Sequence, residues 1–338
     1  MPQDTFLGSV VMRHANRFGG LLLSCSGTRH SILRYTYKSM ENKLIYTFLS
    51  AIISLFLLED ICIASPIAKN WIYSTILIEN EWNDIGTGFL VYREVNESGG
   101  LTFLCTNKHV LNKDKALRDK ANKIKLHLNI KEADDQIIGK VFEYELKNKN
   151  GEKKWKEHPD QNIDVLVIDV TDLMIKESKI IKKFVTYSMF TDSNMLIEKE
   201  ITIGDDVMII GYPLGFKQGN TNFPVVRQGI IASQIGKEFV NEIFDNKGNI
   251  KRKTYRGFLI DGGIIPGSSG SPVVLKPGVP HVIEGRMVIA PSVLLGIVAE
   301  TRFAPIERKP GDIIPSYAGM GIAFDAQTIK ETMELFFQ

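Results

Sequence analysis

Pro266-Gly267-Ser268-Ser269-Gly270-Ser271-Pro272 is small, turn-forming and rich in hydroxyls, and it runs straight into the apolar Val273-Val274-Leu275. Glycines on both sides of Ser269 allow a sharp turn and a close approach to another molecule. On such a turn a serine can expose its hydroxyl while neighbouring backbone N–H groups converge on one point. A serine nucleophile with an oxyanion hole needs that combination. Read alone, the stretch fits a plain loop between strands equally well. The decision rests on whether a histidine and an acid stand upstream in matching contexts.

Four histidines follow residue 65: His109, His127, His158 and His281. His127 alternates within a strand-like run, and His158 and His281 lie in polar loops beside prolines. His109 ends a strand, in Cys105-Thr106-Asn107-Lys108-His109-Val110, where an imidazole is held firmly and still reaches a cleft. Its acid must be sheltered and hydrogen-bonded. Asp164 fits best, because Gln161-Asn162-Ile163-Asp164 leads directly into Val165-Leu166-Val167-Ile168, whereas Asp160 and Asp169 are less well placed. The chain order His109, Asp164, Ser269 is one of the known orders for a Ser-His-Asp triad.

The surrounding pattern is β-rich. From residue 70 short apolar and β-branched runs alternate with turns: Trp71–Ile78, Gly88–Tyr92, Leu101–Cys105, Ile124–Leu128 and Val165–Val170, then Asp206–Ile210, Val225–Ser233, Phe258–Ile260, Val273–Leu275 and Leu294–Val298. Such a series predicts barrels or a sandwich. Asp325 can cap a closing helix whose apolar face is Ile329, Met333, Leu335 and Phe336. The lysine-bearing tips at 149–152 and 246–249 read as solvated hairpin ends.

In these motifs the chain resembles the chymotrypsin-like (trypsin-like) serine peptidases, and among them the bacterial HtrA/DegP-type protease domains. Gly86-Thr87-Gly88-Phe89 resembles the family's Gly-Ser-Gly-Phe strand, and Thr106-Asn107-Lys108-His109-Val110 its histidine motif. Asn162–Val167 resembles the segment carrying the acid, Gly204-Asp205 with Gly211–Gly215 a linker and turn of the second barrel, and Asp261–Pro272 the nucleophile segment. Gly319–Phe324 resembles the lead into the C-terminal helix. The resemblance implies two six-stranded antiparallel β-barrels, at about 70–190 and 195–325, with a C-terminal helix at 326–337. It implies a serine endopeptidase whose catalytic residues are His109, Asp164 and Ser269, with Gly267 and Ser269 N–H groups as oxyanion donors. It also implies a substrate pocket lined by Gly263, Ile264, Val298, Ala299 and Glu300. Apolar lining favours aliphatic side chains before the cleaved bond, and an inward Glu300 would favour a basic one. The acyl-enzyme chemistry calls for a protein or peptide substrate and no cofactor or metal. A silent, peptide-binding relative is the alternative. Esterase chemistry has little support, since the Gly-x-Ser-x-Gly elbow is absent.

The pattern departs from the DegP type in Ser268 and Ser271 and in the 55-residue span from His109 to Asp164, and no PDZ domain is expected after the closing helix. Lys plus Arg number 41 against 39 Asp plus Glu, and 35 of each remain after residue 65, so no nucleic-acid footprint is expected. Leu44–Leu58 is an uncharged 15-residue run, short for a membrane span and suited to a signal-peptide core. Cys62 and Ala64 offer a small-x-small cleavage site, and Met40 a second start. Residues 1–65 are therefore expected to be a leader, and the domain exported to a periplasm or secreted; an anchor through 44–58 is the alternative. Only Cys105 would remain, too few for an intramolecular disulfide.

Overall fold

The computed structural model describes residues 66–338, apart from 98, 245–249, 277–279, 284–285, 290–291 and 310–311. The leader, its cleavage site, the anchor alternative and the hairpin tip at 246–249 lie outside the described residues. Helix α1 (Pro66–Ser74) leads into a sheet of β1 (Thr75–Glu79), β2 (Ile85–Asn96), β3 (Gly99–Thr106), β4 (Lys123–Lys131), β5 (Ile137–Glu145), β6 (Trp155–Glu157), β7 (Leu166–Asp169) and β8 (Val185–Thr186). Short helices α2 (Lys108–Leu111), α3 (Lys115–Lys120) and α4 (Thr171–Lys176) interrupt it. The strand order is β5-β4-β1-β2-β3-β7-β6, with β8 parallel to β2. Its two ends meet in the 146–154 hairpin, where the Lys154 N–H donates to the Leu146 carbonyl and Lys147 bridges Lys153, without a continuous ladder.

After α5 (Ser193–Glu198) come β9 (Asp206–Gly211), β10 (Val225–Ile231), β11 (Glu238–Phe244), β12 (Ile250–Asp261), β13 (Pro272–Leu275), β14 (Pro280–Ile283), β15 (Arg286–Ile289), β16 (Leu294–Lys309) and β17 (Asp312–Asp325). Here the order β10-β9-β13-β16-β17-β12 closes on itself, because β12 pairs back with β10. The structure therefore shows a mostly β chain with one closed six-stranded barrel, the C-terminal one. Helix α6 (Ala326–Glu334) follows, with Asp325 accepting from the Thr328 N–H at 3.0 Å as its N-cap.

Strand alternation explains how the two sheets share a core. Because successive side chains point to opposite faces, Leu90, Leu104, Leu166 and Ile168 fill the interior of the first sheet. Their neighbours Phe89, Val91, Phe103, Cys105 and Val167 point the other way, against Ile210, Val274, Leu294, Ile297 and Phe324 of the second and Ile329 and Met333 of α6. Val207, Ile209, Val273 and Leu275 line the barrel interior. Strands apolar on both faces are the expected consequence of burial on both sides. Cys105 is a buried free thiol in the shared layer.

One strand expectation is corrected. The Trp71–Ile78 run divides into the end of α1 and β1, because Ser74 and Thr75 turn their hydroxyls back onto the Trp71 carbonyl, at 3.2 and 2.7 Å. The Trp71 indole N–H donates to Ser292 Oγ at 2.8 Å, so tertiary contact holds the helical turn. Apolar periodicity over so short a run does not separate helix from strand.

Gly270 is the tightest contact between the sheets. Its φ is +86°, and a methyl group there would overlap the Thr87 carbonyl. Gly270→Ala is expected to lose about 2–5 kcal/mol from strain and overlap together, read from the midpoint of urea denaturation; a midpoint equal to the parent's would contradict this packing.

Candidate active site

His109 sits in the single turn of α2, immediately after β3, and three consecutive residues there grip the loop that carries Asp164. The Asn107 side-chain amide donates to the Asp164 carbonyl at 2.6 Å. Lys108 Nζ, nearly buried, donates to the carbonyls of His158 and Asp160 at 2.9 and 3.0 Å. His109 donates its backbone N–H to Asp164 Oδ1 at 3.1 Å, and its ring Nδ1 meets Asp164 Oδ2 in a short contact. The imidazole and carboxylate are each about a quarter exposed, sheltered but open to a cleft. Burial raises the Asp164 pKa, but the His109 ring and N–H and the Lys108 charge outweigh it and hold the carboxyl below its ordinary value. Burial likewise pulls the Lys108 ammonium down, against the opposing charges of Glu157 and Asp164. His158, behind this loop, bonds Glu331 of α6 at 3.0 Å, tying the acid's loop to the closing helix.

Ser269 comes from the second sheet, on the turn before β13. Thr87 of β2 stitches that turn to the first sheet. Its N–H donates to the Ser269 carbonyl at 2.8 Å and its hydroxyl to the Gly267 carbonyl at 2.9 Å. The same hydroxyl accepts from the Tyr212 N–H at 3.1 Å. With both carbonyls engaged, the N–H groups of Gly267 and Ser269 make no hydrogen bond among the described residues. Gly267 has φ +88°, and a side chain there would strike the Tyr212 carbonyl. Ser268 and Ser271 are fully buried, so Ser269 alone of the three turn serines reaches the surface.

His109 and Ser269 share two clefts. One, about 730 Å³, is also lined by Asp164, Pro266, Ala299, Glu300 and Thr301. The other, about 670 Å³, runs past Ile85, Val110, Leu214 and Gly267. The Ser269 hydroxyl donates to the Ala299 carbonyl at 3.3 Å. That carbonyl is available because β16 bulges between Val298 and Glu300, which leaves Ala299 out of the ladder.

A family model described as the trypsin-like peptidase domain matches residues 86–279, more than half of the chain and inclusive of His109, Asp164 and Ser269. The chain belongs to the trypsin-like peptidase family. Among solved structures the peptidase domain is similar to Rv3671c of M. tuberculosis H37Rv, as a serine-to-alanine mutant in inactive form (15% identity, TM-score 0.40, covering 80% of this chain and 90% of that one). It is also similar to the active form of the same protease (16%, 0.39, 79% and 82%) and to Deg5 (17%, 0.43, 79% and 90%). No curated protein matches the sequence.

The structure divides the residues expected to line the substrate pocket. Glu300 lines the cleft beside Ser269, and Ala299 meets it through its carbonyl while its side chain is buried in the shared core. Ile264 and Val298 point into the barrel core instead, Val298 because it stands one residue before the bulge. Gly263 is exposed, donates to the Gly319 carbonyl at 2.9 Å and accepts from Arg227. Thr87, Lys108 and Arg227 escaped the sequence reading, since each acts only through residues distant in the chain. Among the described residues no three His, Cys, Asp or Glu side chains are grouped as a metal site, and no helix is long and apolar enough to cross a membrane.

The depressed Asp164 carboxyl makes a prediction about acid. A group held below its unfolded pKa, about 3.9 for Asp, stabilises the fold above that value and loses its contribution as pH falls through the native one. The urea midpoint should therefore fall more steeply below about pH 4 in the parent than in Asp164→Asn. Equal acid slopes would contradict the assignment.

Proposed function

We propose that this chain is a serine endopeptidase that cleaves peptide bonds through His109, Asp164 and Ser269. The observation carrying the proposal is the His109–Asp164 pair facing Ser269 across one cleft, beside two unengaged backbone N–H groups on the Ser269 turn. In the first step Ser269 Oγ leaves its long bond to Ala299, gives its proton to His109 Nε2 and attacks the substrate carbonyl. Asp164 accepts from Nδ1–H, fixes the tautomer and stabilises the imidazolium. The N–H groups of Gly267 and Ser269 receive the oxyanion, each such donor being worth about 3–4 kcal/mol in the transition state. His109 then protonates the leaving amine. Water repeats the sequence on the acyl-enzyme and restores Ser269.

The one-turn α2 and the Thr87 stitch support this reading because both fix geometry before substrate arrives. Preorganised donors need no rearrangement at the moment charge develops. We assign the two sheets to the family's two-barrel arrangement, with the substrate running through the clefts at their junction. Ala299 and Glu300 form the wall nearest the cleaved bond.

A fluorophosphonate probe tests the proposal. The parent should be labelled covalently at Ser269, with labelling abolished in Ser269→Ala and slowed by about 10³-fold or more in His109→Ala. A parent that resists the probe, or a Ser269→Ala variant labelled as well as the parent, would overturn it and leave a silent peptide-binding protein.

A further inference from the structure

Arginine is out of place at position 227. Along β10 the residues Val225, Arg227, Gly229 and Ile231 share the face turned inward, and Arg227 lies opposite Ile209, a residue of the barrel core. An apolar side chain is the ordinary occupant of such a position. Gly229, two residues on, has no side chain and so lets the backbone at Asp261 and Gly262 approach closely; a methyl there would strike the Asp261 carbonyl. This brings the segment leading into the nucleophile turn within reach of the guanidinium. Nη1 donates to the Gly263 carbonyl, and Nη2 donates to Ser268 Oγ at 2.7 Å. Nε is buried without a partner, and among the described residues no carboxylate pairs with this cation. Burial accordingly pulls the guanidinium below its ordinary pKa.

We infer that Arg227 is a positioning residue for the oxyanion-binding turn, acting through the buried hydroxyl of Ser268. Ser268 stands between the two proposed oxyanion donors, and its carbonyl shares a peptide plane with the Ser269 N–H, so holding Ser268 holds that donor. The Ser268 N–H closes a turn onto the Ile265 carbonyl at 3.1 Å, and its hydroxyl is fully buried, with Arg227 as its hydrogen-bond partner. From one rigid strand the guanidinium holds Gly263 and Ser268, the start and the centre of the segment. Thr87 holds the Gly267 and Ser269 carbonyls from the opposite side. The turn is clamped between two fixed points, one on each sheet. Arg227 is partly buried and has no carboxylate partner among the described residues, so its contribution lies in where it places the turn.

The inference rests on the peptidase reading, and its test separates the two. Fluorophosphonate inactivation is resolved into the half-saturating probe concentration and the limiting rate for the parent, Arg227→Met, Arg227→Lys, Ser268→Ala and the Arg227→Met/Ser268→Ala double variant. Donors that act only as charge develops change the rate and not the initial binding. Arg227→Met should lower the limiting rate by about tenfold or more and leave half-saturation within about twofold. The double variant should be no slower than the slower single, because both changes remove one interaction. Lysine, which reaches one acceptor, should restore part of the rate. A limiting rate within about twofold of the parent's, a change confined to half-saturation, or multiplicative losses in the double variant would each overturn the inference. Should Arg227→Met not fold, Ser268→Ala decides alone by the same criterion. A parent inert to the probe would overturn the peptidase reading and this assignment with it; a reactive parent with an equally reactive Arg227→Met would overturn only the latter.

Discussion

The two hydrogen bonds from Thr87 to the carbonyls of Gly267 and Ser269 are the constraint on which the site depends. The imidazole and its acid belong to loops of the first sheet, and the serine to a turn of the second. Chemistry shared between two sheets requires that their separation be fixed to a fraction of an ångström. The shared apolar layer supplies the adhesion but not the register, because burial of Phe89, Phe103, Ile297 and Phe324 is non-directional. Thr87 supplies the direction. Its hydroxyl also takes the Tyr212 N–H and its carbonyl lies against Gly270, so a donor, an acceptor and a close backbone approach meet on one residue.

From that point the remaining geometry follows in order. Thr87 holds the Gly267 and Ser269 carbonyls and the Leu214 N–H holds the Pro266 carbonyl, while the Gly267 and Ser269 N–H groups make no hydrogen bond among the described residues. Asn107, Lys108 and His109 hold the Asp164 loop by four separate groups, so the acid's position owes little to the loop's own stiffness. The bulge at Ala299 frees a carbonyl to receive the resting serine hydroxyl. At 3.3 Å that bond is long for an O–H donor, and it yields readily to a better partner.

His109, Asp164 and Ser269 stand out in the chain because each lies beside an apolar β run in a polar context, and the structure brings all three to one cleft. The family model now spans all three. The apolar, β-branched runs around Val165–Ile168 and Val273–Leu275 form strands in the structure, at Leu166–Asp169 and Pro272–Leu275. Other features depend on partners far along the sequence. Trp71 reads as strand because its helical turn is held by Ser292, more than two hundred residues away. Val298 packs into the barrel core and the Ala299 carbonyl turns to Ser269 because of a bulge that no local pattern announces. The position of Arg227 gains meaning only through Gly229, whose missing side chain lets the Asp261–Gly262 backbone approach within its reach. Closure of the second sheet depends on β10 meeting β12, a pairing set by topology and not by either strand's composition.

The most direct test of the account is the structure of a peptidyl boronate adduct. The account predicts boron bonded to Ser269 Oγ, one boronate oxygen within about 3.2 Å of both the Gly267 and Ser269 N–H groups, and the Thr87 bonds to the turn intact. A boronate oxygen that contacts neither N–H, or a turn released from Thr87 in the adduct, would contradict it.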